Sequence, residues 1–161
     1  MKKLVRLLNT PVDSKGLGIF RICFSVALLA QSIYFFATDF VLENYIQREI
    51  EFPFFEFLKE PSEGLLKLAS VLMIVSSLLM IFGRWFKAAN SVYLISFTLL
   101  WLTEKGVYNN HYYFISIISF LLLFTKAGNV LTFAKESVKK VKLSNYVIII
   151  AQLAIVFIIA G

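Results

Sequence analysis

Hydrophobic positions along this chain fall in long unbroken runs, separated by shorter polar stretches. The first run, GLGIFRICFSVALLAQSIYFFA, covers residues 16–37. The others cover 65–82, 88–102, 108–125 and 145–161. None alternates between apolar and polar residues as a membrane barrel strand does. An α-helix needs roughly 20 residues to cross a hydrocarbon core. In lipid only helices and closed barrels satisfy their own backbone. The pattern predicts an all-α integral membrane bundle of about five transmembrane helices, occupying residues 16–161. Residues 1–15 are basic, are interrupted by Pro11, and precede a run too long for a signal-peptide core, so the first run is expected to be a retained helix.

Composition supports lipid as the solvent. The 161 residues are 59% hydrophobic and only 16% charged, with a mean hydropathy of +0.79. A soluble domain carries about 25% charged residues. A chain this short has too little interior for such an apolar excess. Its one cysteine, Cys23, excludes an internal disulfide and a Cys-based zinc site, and its place in the first run suits a small buried or lipid-facing side chain.

The net charge of +6 could point to nucleic acid or to anionic lipid, but the charges follow membrane topology. Eleven of the sixteen basic residues lie in the N-terminus, the Arg84–Lys87 turn and the 126–142 stretch, which contains Lys135. Eight of the ten acids lie in the alternate loops, 38–64 and 103–110. The positive-inside rule then puts the N-terminus in the cytoplasm. Five crossings leave the far end outside. The expected location is the cell (inner) membrane, multi-pass, with the bilayer as partner and no nucleic acid.

Candidate chemistry is sparse. No phosphate-binding glycine loop, HExxH, GxSxG or metal-ligand spacing is present, and one histidine excludes a His-rich metal or haem site. Arg21 lies inside the first run and begins a polar stripe with Ser25 and Ser32. A charge there is either functional or structural; it is close enough to the cytoplasmic end to snorkel or pair. Asn109, Asn110 and His111 cluster at the outer mouth of the fourth run, beside Tyr108, Tyr112 and Tyr113. One reading is a helix cap within an interfacial aromatic belt. The other is a site where His111 gives a hydrogen bond or proton to a substrate. Glu104 and Lys105 beside this mouth read as solvated residues. The FPFFEF segment reads as loop surface or as an amphipathic interfacial piece. Ser76, Ser77, Ser116, Ser119 and Gln152 read as contacts between helices.

Four stretches carry a family resemblance. These are PVDSKGLGIFRICFSVAL, FPFF, YNNHYYFISIISFLLLFTKAG and NYVIIIAQLAIVFIIAG. In this order they resemble the horizontally transferred transmembrane (HTTM) domain family and the transmembrane half of vitamin K-dependent gamma-glutamyl carboxylase. The resemblance implies an enzyme of the carbon–carbon lyase type. Reduced vitamin K, or another quinone, would be oxygenated to a base that removes a γ-proton from a protein glutamate, and the carbanion would take up carbon dioxide. It implies a catalytic role for His111, with Asn109, Asn110 and Arg21 as candidates for binding substrate or quinone, and no metal. The family's active-site lysine follows the fifth-helix Ala-Gly pair, which here is Ala160-Gly161. The chain is therefore expected to be the N-terminal part of such an enzyme, inactive alone and completed by a missing C-terminal portion. The alternative is a non-enzymatic membrane module that binds a lipid, a quinone or a partner subunit. A small transporter would show paired broken helices, and none is visible.

Overall fold

The computed structural model describes residues 2–38, 40–47, 52–59, 61–107, 109–133 and 137–160. Of the residues singled out above, Tyr108, Lys135 and Gly161 lie outside that set. Among the described residues there are six α-helices: α1 (Lys2–Leu8), α2 (Lys15–Ala37), α3 (Glu63–Phe82), α4 (Phe86–Leu102), α5 (Asn110–Leu122) and α6 (Ser144–Ala160). The all-α expectation holds for the bundle, and α2 to α6 fall on the five apolar runs. Two of them, α2 and α3, are long and apolar enough to cross a membrane. The apolar helices α4, α5 and α6 are shorter.

Boundaries follow local chemistry. Helix α3 starts before the apolar run because the Ser62 hydroxyl accepts a hydrogen bond from the Leu65 amide at 3.3 Å. It stops at Gly83, which adopts φ +71°. A Cβ there would overlap the Arg21 guanidinium, so glycine serves both conformation and space. After this tight turn α4 begins at once. Helix α5 ends at Leu122 because the amides of Leu123, Phe124 and Thr125 tighten onto carbonyls three residues back.

Successive helices pack side by side, α2 on α3, α3 on α4, α4 on α5 and α5 on α6. The bundle has an apolar core, with Leu28, Met73, Phe97 and Leu122 among its members, and carries apolar residues on its outside as well. Ile19, Val26, Ile33, Val75, Ile95 and Phe120 are exposed, whereas Arg21, Ser25, Ser32, Ser77, Asn90 and Ser119 are buried. Cys23 is exposed on α2. Polar groups turned inward and apolar groups outward suit a lipid solvent.

The buried serines refine an expectation. The hydroxyls of Ser25, Ser32, Ser70 and Ser77 donate to the carbonyl four residues earlier on their own helix, not across to a neighbour. Such back-bonding satisfies a hydroxyl without solvent, and the small side chain lets helices approach. Cross-helix bonds come instead from the Asn90 amide to the Ser119 carbonyl at 2.6 Å and from the Trp101 indole to the Ser116 hydroxyl at 3.1 Å.

The loops sort into two groups, one at each end. At one end two short strands, β1 (Pro11–Asp13) and β2 (Lys140–Lys142), pair antiparallel, with Val12 opposite Val141. Tyr146 strengthens the join: its hydroxyl donates to the Asp13 carbonyl and accepts from the Leu17 amide. This small sheet was not foreseen, because three-residue strands carry too short a pattern. At the other end, the Phe54 amide donates to the Leu102 carbonyl and the Lys105 amide to that of Phe52. The loops at the first end carry most of the chain's lysines and arginines, and the two joined at the other end carry Glu43, Glu56 and Glu104 among their described residues.

Candidate functional site

The Asn109–His111 cluster stands at the start of α5. Asn109 is extended (φ −140°, ψ 162°), and its side-chain oxygen accepts from the Tyr112 amide at 3.1 Å. That cap stops α5 from fraying and fixes the direction of the two side chains that follow. Tyr112 is buried, edge-on to Phe97 at 5.4 Å and to Phe35 at 6.0 Å, which locks the first turn against α4 and α2. Asn110 and His111 are exposed. The cap reading of Asn109 is thus realised in the backbone. The His111 imidazole is left accessible at this mouth, able to donate or accept.

An apolar groove of about 550 Å³ runs along the same end of the bundle, between α4, α5 and the Phe55–Leu58 segment. Leu94, Thr98, Trp101, Tyr113, Ser116 and Phe120 are among the residues that line it. Its polar groups are few and joined: the Ser116 hydroxyl sits 3.4 Å from that of Thr98 and accepts from Trp101. Tyr113 and His111 are two residues apart, about 200° around the helix. The groove therefore takes the Tyr113 face of α5, and His111 is not among its lining residues.

Glu104 departs from the solvated reading. It is 4% exposed; one carboxylate oxygen accepts from the Gly106 amide at 2.8 Å and the other from the Phe52 amide at 3.3 Å. It ties together the two loops at this end. No local signal marks it, because Phe52 is far away in sequence. Lys105 is exposed, with its ammonium 5.5 Å from the centre of the Phe54 ring. Phe54 in turn meets Trp101 at a right angle, 5.6 Å between ring centres. The FPFFEF segment thus covers the end of α4 and walls the groove.

Arg21 is placed elsewhere. It is fully buried, and its guanidinium donates to four backbone carbonyls: Ile81 at 3.1 Å, Ala127 at 3.3 Å, Val130 at 3.0 Å and Leu131 at 2.9 Å. It joins the C-terminal end of α3 to the 127–131 loop. The 13 residues of α5 separate it from His111, a helix length of about 20 Å. The structure therefore brings Asn109, Asn110 and His111 together and does not bring Arg21 to them. Sequence reasoning missed Asn90 and Tyr93, fully buried polar residues of α4; Ser119, read as a contact between helices, is buried where its carbonyl accepts from Asn90. The Asn90 carboxamide oxygen, the Tyr93 hydroxyl and the Ser119 hydroxyl find no hydrogen bond of ordinary geometry. Asn90 one turn before Tyr93 in an apolar helix was the available signal. Among the described residues, no three His, Cys, Asp or Glu side chains converge as a metal set.

The HTTM domain family model matches residues 9–161. No solved structure matches the chain.

Proposed function

This chain belongs to the HTTM domain family, and from that premise we propose a multi-pass membrane module of carboxylase-like ancestry that holds a quinone in its α4–α5 groove. In this reading α2 to α6 all cross the bilayer, with the N-terminus in the cytoplasm and His111 outside. The grouping of loops by charge at the two ends supports that orientation. Helix α5 has 13 residues, about 20 Å against a core of about 30 Å. The tightened 123–125 turn after it extends the crossing.

The groove carries the quinone reading. Its walls are apolar, as an isoprenoid tail needs, and its volume suits a ring with the first tail units. The Thr98 and Ser116 hydroxyls offer donors to a ring carbonyl. A bound quinone supplies redox chemistry; the chain's own part here is to orient the ring and exclude water. Trp101 gives a direct test. In a Trp85→Phe background it is the only tryptophan. Titrating a quinone into protein in lipid nanodiscs should quench it saturably, and Ser116→Leu should weaken that quenching about tenfold. Linear quenching, equal in both variants, would remove the groove as a site.

A second reading keeps the enzymatic role. His111 and Asn110 are accessible on a capped, rigid helix start, where a donor stabilises a developing anion once water is excluded. With reduced quinone, oxygen and carbon dioxide supplied, and with the lysine-bearing segment that the family resemblance implies present, His111→Ala should abolish carboxylation of a glutamyl peptide and leave membrane insertion intact. Full activity in that variant would take His111 out of the chemistry.

A further inference from the structure

At the end of the bundle opposite His111 lies a second cavity, of about 480 Å³. One wall is the Gly83–Trp85 turn with the first turn of α4, and the other is the 125–132 loop. Three cations line it, Arg84 and Lys87 from the first wall and Lys126 from the second. No carboxylate does, and none of the described carboxylates pairs with the three. Asn129 and Thr125 add neutral polar groups.

The concavity is built, not incidental. Arg21 clamps both walls, since Ile81 leads into one and Ala127, Val130 and Leu131 belong to the other. The Thr132 hydroxyl donates to the Phe82 carbonyl across the same gap. Any Cβ at Gly128 would overlap the Phe86 side chain, so only glycine lets the second wall come this close to α4. Like charges are thereby held together with no chain anion among the described residues to offset them. Helix α4 adds to the field, with no acid in its first turn and no side-chain cap at its start.

Around the rim stand exposed aromatics. Trp85 is 67% exposed with the Arg84 guanidinium 4.6 Å over its ring, and Phe133, 86% exposed, meets Phe82 at 5.8 Å. Aromatic side chains exposed beside a basic hollow match the boundary between headgroups and acyl chains. We propose that this cavity binds the phosphate of an anionic phospholipid, held by Arg84, Lys87 and Lys126, with its acyl chains against Trp85, Phe82 and Phe133. The inference takes only the leaflet, the cytoplasmic one, from the orientation proposed above; binding in detergent does not depend on that orientation.

The test uses the full chain in zwitterionic detergent micelles, titrated with phosphatidylglycerol, phosphatidylcholine or inorganic phosphate, with native mass spectrometry as readout and Trp85 fluorescence followed in a Trp101→Phe background. Phosphatidylglycerol should bind at least tenfold more tightly than phosphatidylcholine. A Lys87→Gln/Lys126→Gln variant should weaken it at least tenfold, at about fivefold per charge. Lys139→Gln/Lys142→Gln, which removes equal charge outside the cavity, should change it less than twofold. The cavity lysines are exposed, so the thermal unfolding temperature should not move; single Lys126→Gln serves if the double variant does not fold. Equal weakening in the two double variants overturns the site in favour of diffuse surface charge. No preference for phosphatidylglycerol over phosphatidylcholine overturns it as well. If inorganic phosphate displaces the lipid at equal concentration, the ligand is a soluble phosphate and the lipid assignment fails.

Discussion

Arg21 is a buried cation whose counter-groups are backbone carbonyls. Four partial negative charges replace one carboxylate. The last carbonyls of α3 and the irregular 127–131 loop would otherwise lack partners away from water. The planar guanidinium reaches two walls at once, which a lysine ammonium cannot. Arg21→Lys and Arg21→Met should both lower stability by about 2–4 kcal/mol, read as unfolding in mild detergent. Recovery of wild-type stability in Arg21→Lys would show that charge alone suffices. Glu104 is the counterpart at the other end, an acceptor for two loop amides. Glu104→Ala should cost about 1–3 kcal/mol and make the 52–58 segment more open to protease. Unchanged cleavage there would remove its role as a tie.

At the scale of elements, caps and glycines decide where helices start and how closely they meet. Asn109→Ala removes the α5 cap and should cost about 1 kcal/mol. Asn109→Asp, which keeps the acceptor, should restore most of it; failure of that rescue would mean that the cap is not what Asn109 contributes. Gly128→Ala should cost about 1–3 kcal/mol by forcing the loop off Phe86, and it should weaken lipid binding in the basic cavity by the same displacement. The helices themselves were legible, because the 16–37 and 65–82 runs state their length and polarity directly. The contacts at their ends were not. Glu104 depends on Phe52, and Arg21 on Ala127 to Leu131; no local window contains both partners. The β1–β2 pair was illegible for the same reason, and three residues are too few to show a period. His111 was legible as a cluster, while its separation from the groove followed only from which face of α5 turns toward α4.

For the whole molecule, the two ends differ in kind. One gathers Arg84, Lys87, Lys126, Lys140 and Lys142, a small sheet and the basic cavity. The other gathers, among the described residues, Glu56 and Glu104, the aromatic FPFFEF segment and the histidine. Reporters fused near Pro61 and near Lys139 should appear on opposite sides of the membrane, the first outside and the second in the cytoplasm. The same side for both would break the five-crossing arrangement, and exchanged sides would reverse it.

The strand pair also sets a schedule. Asp13 faces Lys140, so nearly all of the chain is made between the two. At about 5–20 residues per second, the first strand waits roughly 6–25 s for its partner to leave the ribosome. For most of that wait Arg21 has only the Ile81 carbonyl to turn to, since its three loop partners, Ala127, Val130 and Leu131, are synthesised only shortly before Lys140. A nascent α2 must therefore sit with its guanidinium at the bilayer surface, or beside an insertion partner, and settle inward only once the 127–131 loop emerges. Closure of this bundle is a late event in biosynthesis, timed by the arrival of Ala127 to Lys142.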